Sequence, residues 1–266
     1  MRSDAVESVA KFGLHAGELN PTTAARYALM KIPAIAFALL LSLSLASSAE
    51  ALNTLTDSEK KDGWQLLFDG KSLAGWRTYK AGGKIGAGWV VEDGILKKQA
   101  KIAGGDIMTE QPISGTADWE LSWEWRIAKN GNNGIKYFIT EARKGTLGHE
   151  YQMLDDDGHP DGKIGPHRQT ASFYDVLPPA KDKPLKPVGE WNASRVVVKG
   201  NTVQHWLNGA KVLEYVLGSD AVKEAVAKSK FKKIEDFGTK VTGHILLTDH
   251  SDECWFRNVK LRVTKN

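Results

Sequence analysis

Apolar and polar residues alternate along Trp119–Ile127. Trp119, Leu121, Trp123, Trp125 and Ile127 fall on one side, and Glu120, Ser122, Glu124 and Arg126 on the other. A period of two predicts a strand with one buried face. Shorter strand-like runs, punctuated by turn residues, fill most of the chain. Trp64–Phe68 ends at Asp69-Gly70, and Trp89–Leu96 contains Glu92-Asp93-Gly94, a tight-hairpin signal. A turn at Lys129–Gly134 precedes a strand at Ile135–Thr140. Arg195–Lys199 and Thr202–Leu207 flank Gly200-Asn201 as a second hairpin. Asn208-Gly209 leads into Lys211–Leu217, and His244–Thr248 and Trp255–Val263 close the series. One helical pattern interrupts them. Asp220–Asp236 has a cap at Ser219 or Asp220 and apolar Val222, Ala225, Val226 and Ile234. Pro178–Pro187, with four prolines, is excluded from a central strand and reads as a loop. Many short aromatic-rich strands with little helix predict an all-β fold, an antiparallel β-sandwich with a small helical insertion.

The segment His149–Asp155 concentrates polar chemistry in a strand pattern. Residues i and i+2 share a face, so Glu150 and Gln152 project together, into a groove or into solvent. Asp155 is out of phase and joins them only through a bulge. The run Asp155-Asp156-Asp157-Gly158-His159 offers oxygen ligands for Ca²⁺ as an alternative use, and a divalent metal is the one cofactor the sequence leaves open.

Met30–Pro33, the apolar run Ala34–Leu45 and Ala49-Glu50-Ala51 have the layout of a signal peptide over 30–51. The run is shorter than a bilayer span requires. Residues 1–29 then read as an over-called upstream extension, or as a disordered cytoplasmic tail. The expected location is periplasmic or extracellular, with no membrane span after cleavage. The formal net charge is +4, and removing residues 1–51 leaves it unchanged. With no continuous basic stripe, nucleic acid is not an expected partner. Cys254 is the single cysteine, so no internal disulfide forms, and its setting is that of a packed small hydrophobe.

Seven stretches occur in order: W-Q-L-L-F-D-G-K-S-L-A-G-W (64–76), N-N-G-I-K-Y-F (132–138), H-E-Y-Q-M-L-D-D (149–156), G-E-W-N (189–192), H-W-L-N-G (205–209), G-H-I-L-L-T-D-H (243–250) and W-F-R-N-V-K-L (255–261). As a set they resemble the 3-keto-disaccharide hydrolase family over residues 62–266. The resemblance implies a concanavalin-like jelly-roll of two antiparallel sheets, one able to hold a sugar. It also implies an exported enzyme cleaving glycosides already oxidised at C3.

A C3 ketone acidifies the hydrogen on C2. Cleavage by C2 proton abstraction, elimination and hydration needs a base near C2, an acid near the leaving oxygen and donors for the enolate. Glu150 is the first candidate for base or acid. Asp249-His250, at a strand end, offers an imidazole acid or base oriented by a carboxylate, against a turn-forming Asp and a surface His. Gln152 would orient hydroxyls. Lys136, opposite the apolar face of its strand, could polarise the ketone or simply be solvated. His205 and Trp206 point to opposite faces. Either Trp206 stacks on a pyranose and His205 packs inward, or the reverse. Arg257 could bind the sugar or form a structural ion pair. No dinucleotide fingerprint is present, so a separate oxidoreductase would supply the keto sugar. Two other functions fit the scaffold. One is a non-catalytic, lectin-like carbohydrate-binding domain. The other is an endoglycosidase, whose E-x-D-x-x-E here reads E-x-Q-x-x-D and so lacks the middle acid.

Overall fold

The computed structural model describes residues 51–80 and 82–264. The expected upstream extension and the signal segment, apart from Ala51, lie outside the described residues. The alternating runs form strands β1 (Trp64–Leu66), β2 (Trp76–Thr78), β3 (Trp89–Glu92), β4 (Ile95–Lys98), β5 (Ile107–Thr109), β6 (Asp118–Ile127) and β7 (Asn132–Ile139). After these come β8 (His149–Leu154), β9 (Asn192–Lys199), β10 (Thr202–Leu207), β11 (Ala210–Val216), β12 (His244–Leu247) and β13 (Cys254–Thr264). The larger sheet runs β11-β10-β9-β6-β13-β4-β3, with β1 also on β13. The smaller runs β2-β5-β12-β7-β8. All pairings are antiparallel, as the sandwich expectation requires. The β3–β4 hairpin turns on Asp93 (φ 50°) and Gly94 (φ 76°), the paired positive angles that a two-residue turn needs to follow strand twist.

The core lies between the sheets. Trp119, Leu121, Trp123 and Trp125 of β6 are buried, as their period predicts. Trp123 meets Tyr151 of β8 edge-on at 4.9 Å. A buried hydrogen-bond chain also crosses the core. The Gly238 amide donates to Nε2 of His149, which places the ring proton on Nδ1, facing the Tyr215 hydroxyl at 3.2 Å. Tyr215 meets the Tyr137 hydroxyl at 2.6 Å, and Tyr137 meets Nε2 of His205 at 2.7 Å. Nδ1 of His205 then donates to the Ala171 carbonyl. With both rings neutral, each member of the chain has a partner. Burial enforces that state, pushing His205 down to about 4 and His149 well below its usual 6.5.

The insertion helix, α2, spans Asp220–Lys228 behind a Ser219 cap, shorter than the pattern predicts. It stops because Ser229 is extended and Phe231 turns inward to stack on Phe237 at 4.2 Å. A shorter helix near the start of the described chain, α1 (Asp57–Lys61), and the short strands β2 and β5 carry no strong sequence period.

Candidate active site

The outer face of the smaller sheet, away from the core, gathers the polar residues of β7 and β8. Register places Met108, Leu246, Lys136 and Glu150 in one row across β5, β12, β7 and β8, with Gly134 opposite Gln152 in the next. Both faces of β8 are buried. The segment after it folds back along its edge, where Tyr174 N donates to the Glu150 carbonyl and Phe173 bridges Tyr151.

Glu150 is the centre of this face, with its side chain 6% exposed. Oε2 lies 3.9 Å from Lys136 Nζ, and Oε1 lies 3.9 Å from His250 Nε2. Both separations exceed direct hydrogen-bond length, so the groups act on one another through their charge. Gly134 makes the position possible, because a Cβ there would sit 2.2 Å from Glu150 Oε1. Burial pulls the carboxyl pKa up, but Lys136, His250 and Lys230 outweigh it and hold the group below its ordinary 4.5. Glu150 is therefore ionised at neutral pH. Its contribution to folding is complete above 4.5 and is lost as pH falls through the lower folded value. Lys136→Met leaves burial less opposed, so the Glu150 pKa rises. The acidic limb of a pH–rate profile is expected to move to higher pH in this variant, and an unmoved limb would remove Lys136 from the Glu150 environment.

Gln152 shares the Glu150 face and is 1% exposed, with its Oε1 unpartnered. Loops line the β8 edge beside Glu150 and Gln152. The Tyr174 hydroxyl donates to Asp161 Oδ2, and Arg168 clamps Asp161 and Asp175 at 2.8 and 2.6 Å. Lys230, just past α2, places Nζ 4.1 Å from the Tyr174 ring centroid. Tyr174 and Asp175 belong to no strand or helix pattern of the sequence, and only their hydrogen bonds to Glu150, Arg168 and Asp161 bring them to this face. Lys230 has no motif at all, because it sits within a helical pattern.

Five candidates lie elsewhere. Asp249 does not orient His250. Its Oδ1 binds Lys98 Nζ at 2.8 Å and its Oδ2 accepts the Gly104 and Gly105 amides. Asp155 has no bulge to bring it into phase. Its oxygens accept the Asn130 and Gly158 amides and close a turn. Its neighbour Asp156 binds the Thr170 amide and Lys183, so the acidic run does not converge as a cation cradle. His205 is inward, as its parity with Val203 and Leu207 allows, but inward on β10 means the core between the sheets. Trp206 is on the outer face of the larger sheet, with Arg195 4.3 Å over its ring. Arg257 is on that face too, paired with Glu124 at 2.7 Å and stacked 4.1 Å from the Trp191 ring. Parity separates two faces of one strand, whereas a sandwich has two outer surfaces, and only one of them carries Glu150.

Residues 63–262 match the sequence profile of the 3-keto-alpha-glucoside-1,2-lyase-like domain. A protein named 3-keto-disaccharide hydrolase from Bacteroides thetaiotaomicron is 33% identical over 253 residues, covering 84% of this chain and 86% of its own. A crystal structure of a "putative glycosyl hydrolase" from Parabacteroides distasonis superposes with a TM-score of 0.71 at 33% identity, covering 81% of this chain and all of the other. A second so described from that organism gives 0.58 at 25% identity, with 75% and 98% covered.

Proposed function

Since the chain belongs to the 3-keto-alpha-glucoside-1,2-lyase-like family, we propose that it is a carbohydrate-active enzyme cleaving the glycosidic bond of 3-keto-glycosides or 3-keto-disaccharides. The observation that carries this is the ionised Glu150, set between Lys136 and His250 on a rigid strand. Glu150 takes the proton from C2 of the keto sugar. The electrons move onto the C3 oxygen, where the Lys136 ammonium stabilises the enolate. Collapse of the enolate expels the oxygen on C1 and leaves a C1–C2 double bond. Water then adds across it, its proton returning to C2 and its hydroxyl to C1. His250, on the second oxygen of Glu150, carries the abstracted proton away and keeps the carboxylate available. Gln152 orients ring hydroxyls. A separate oxidoreductase supplies the keto sugar. The signal-like segment 30–51 supports export, so both proteins would act outside the cytoplasm.

Incubating the purified protein with a 3-keto-disaccharide, with and without added divalent cation, tests the reaction. Release of both sugars is expected, together with solvent deuterium at C2 of the product when the reaction runs in D₂O. Absence of sugar release under both conditions would overturn it. Release without deuterium at C2 would exclude the C2-abstraction route.

A further inference from the structure

The residues beside Glu150 at the β8 edge come from two connections outside the sheets, and their hydrogen-bonding groups are nearly all committed. The Tyr174 hydroxyl donates to Asp161, and Arg168 donates to Asp161 and Asp175. Lys230 differs. Among the described residues its ammonium forms no direct ion pair, although its charge interacts with Glu150 and Asp175. It lies over the Tyr174 ring, with the Phe231 ring 5.2 Å away on its other flank. Its backbone is pinned, because its amide donates to Asp175 Oδ2 at 2.7 Å and its neighbours Ser229 and Phe231 are buried. The side chain is nevertheless exposed. A mobile surface lysine does not have this setting. It is a cation held over the Tyr174 ring, near enough to Glu150 for their charges to interact, with no carboxylate bound directly to it among the described residues.

We propose that Lys230 is the acid for the departing group, giving a proton to the oxygen that leaves C1. In this step the C1–O bond breaks, its electron pair stays on the oxygen, and a proton passes from Nζ to that oxygen. The resulting amine regains its proton from solvent, to which the side chain is open. Partial desolvation of the ammonium against the Tyr174 and Phe231 rings, while the residue as a whole stays open to water, outweighs the pull of Glu150 and Asp175 and brings the Lys230 pKa below its ordinary 10.5, which makes the proton easier to give. Lys136 is assigned to the enolate and Lys230 to the leaving oxygen, so the two ammonium groups serve opposite ends of the elimination. The helical insertion, which the sheets do not require, thereby acquires a purpose: it delivers this residue.

This role rests on the cleavage reaction proposed above, and leaving-group dependence separates the two. Turnover of a 3-keto-disaccharide, whose sugar alkoxide needs a proton to leave, is compared with that of a p-nitrophenyl 3-keto-glucoside, whose phenolate does not. Lys230→Met is expected to depress the disaccharide rate roughly 100-fold more than the p-nitrophenyl rate. Lys230→Arg, which keeps the charge but holds its proton too tightly to give it, should show the same bias at higher substrate affinity. Equal losses on both substrates, or no loss on either, would overturn the role while leaving the cleavage reaction standing. A wild-type protein inert on both substrates would overturn the reaction and the role together.

Discussion

Glu150→Gln is expected to lower kcat/KM for a 3-keto-disaccharide about 10³-fold while leaving the fold intact. The loss is of the size general acid–base groups contribute when removed. The substitution isolates chemistry from packing because Gln has nearly the shape of Glu. It still fits above Gly134, where a Cβ would come within 2.2 Å of the present carboxylate oxygen. It also removes a buried charge, so the folded state loses the attraction of Lys136, His250 and Lys230 but no longer bears the desolvation of a carboxylate. Melting temperature should therefore move little. Binding of the product 3-keto-glucose, followed by calorimetry, should survive. A variant retaining wild-type turnover within about threefold would remove Glu150 as the base.

Asp249→Ala is expected to destabilise the protein by about 3–5 kcal/mol, because it strands a buried ammonium. Lys98 is fully buried, and its three donors are met by the Gln99 carbonyl, the Ile102 carbonyl and Asp249. Asp249 is as fully used, taking the Gly104, Gly105 and Ser251 amides besides Lys98. These contacts hold its carboxyl below the ordinary 3.8, against burial, which is the largest influence and acts upward. A drop in melting temperature of roughly 6–20 °C should follow for a domain of this size. The double variant Lys98→Met/Asp249→Ala should recover part of the loss, since no charge is then stranded. Activity falls in Asp249→Ala as well, because the next residue is His250. A catalytic Asp249 would instead give an inactive protein of unchanged stability, and that result would reverse the structural assignment.

Much of the fold is legible in local pattern. The period of two in β6, the Asp93-Gly94 and Gly200-Asn201 turns and the Ser219 cap each depend on residues within a few positions. Steric and hydrogen-bonding rules act over that range, so the chain states these features by itself. Pairing of Glu150 with Gln152 on one face, and of Lys136 opposite an apolar face, is legible for the same reason. Which face becomes a site is not. His205 and Val203 have the same parity on β10 as Tyr151 and Met153 on β8, and all four point into the core. Trp206 and Glu150 both point out of it, but from different sheets, and the register that decides this joins residues far apart in the chain. The motif D-H offered two functional residues, and only tertiary contacts divide them: Lys98, 151 positions upstream of Asp249, claims the carboxylate. Lys230 is the clearest case. Nothing local distinguishes it from the lysines around it, and its place over Tyr174 depends on where Phe231 and Ser229 bury. Alternation sets which side of a strand a residue takes. Only long-range strand order and loop packing decide what that side faces, because those energies are summed over partners that proximity in sequence does not reveal.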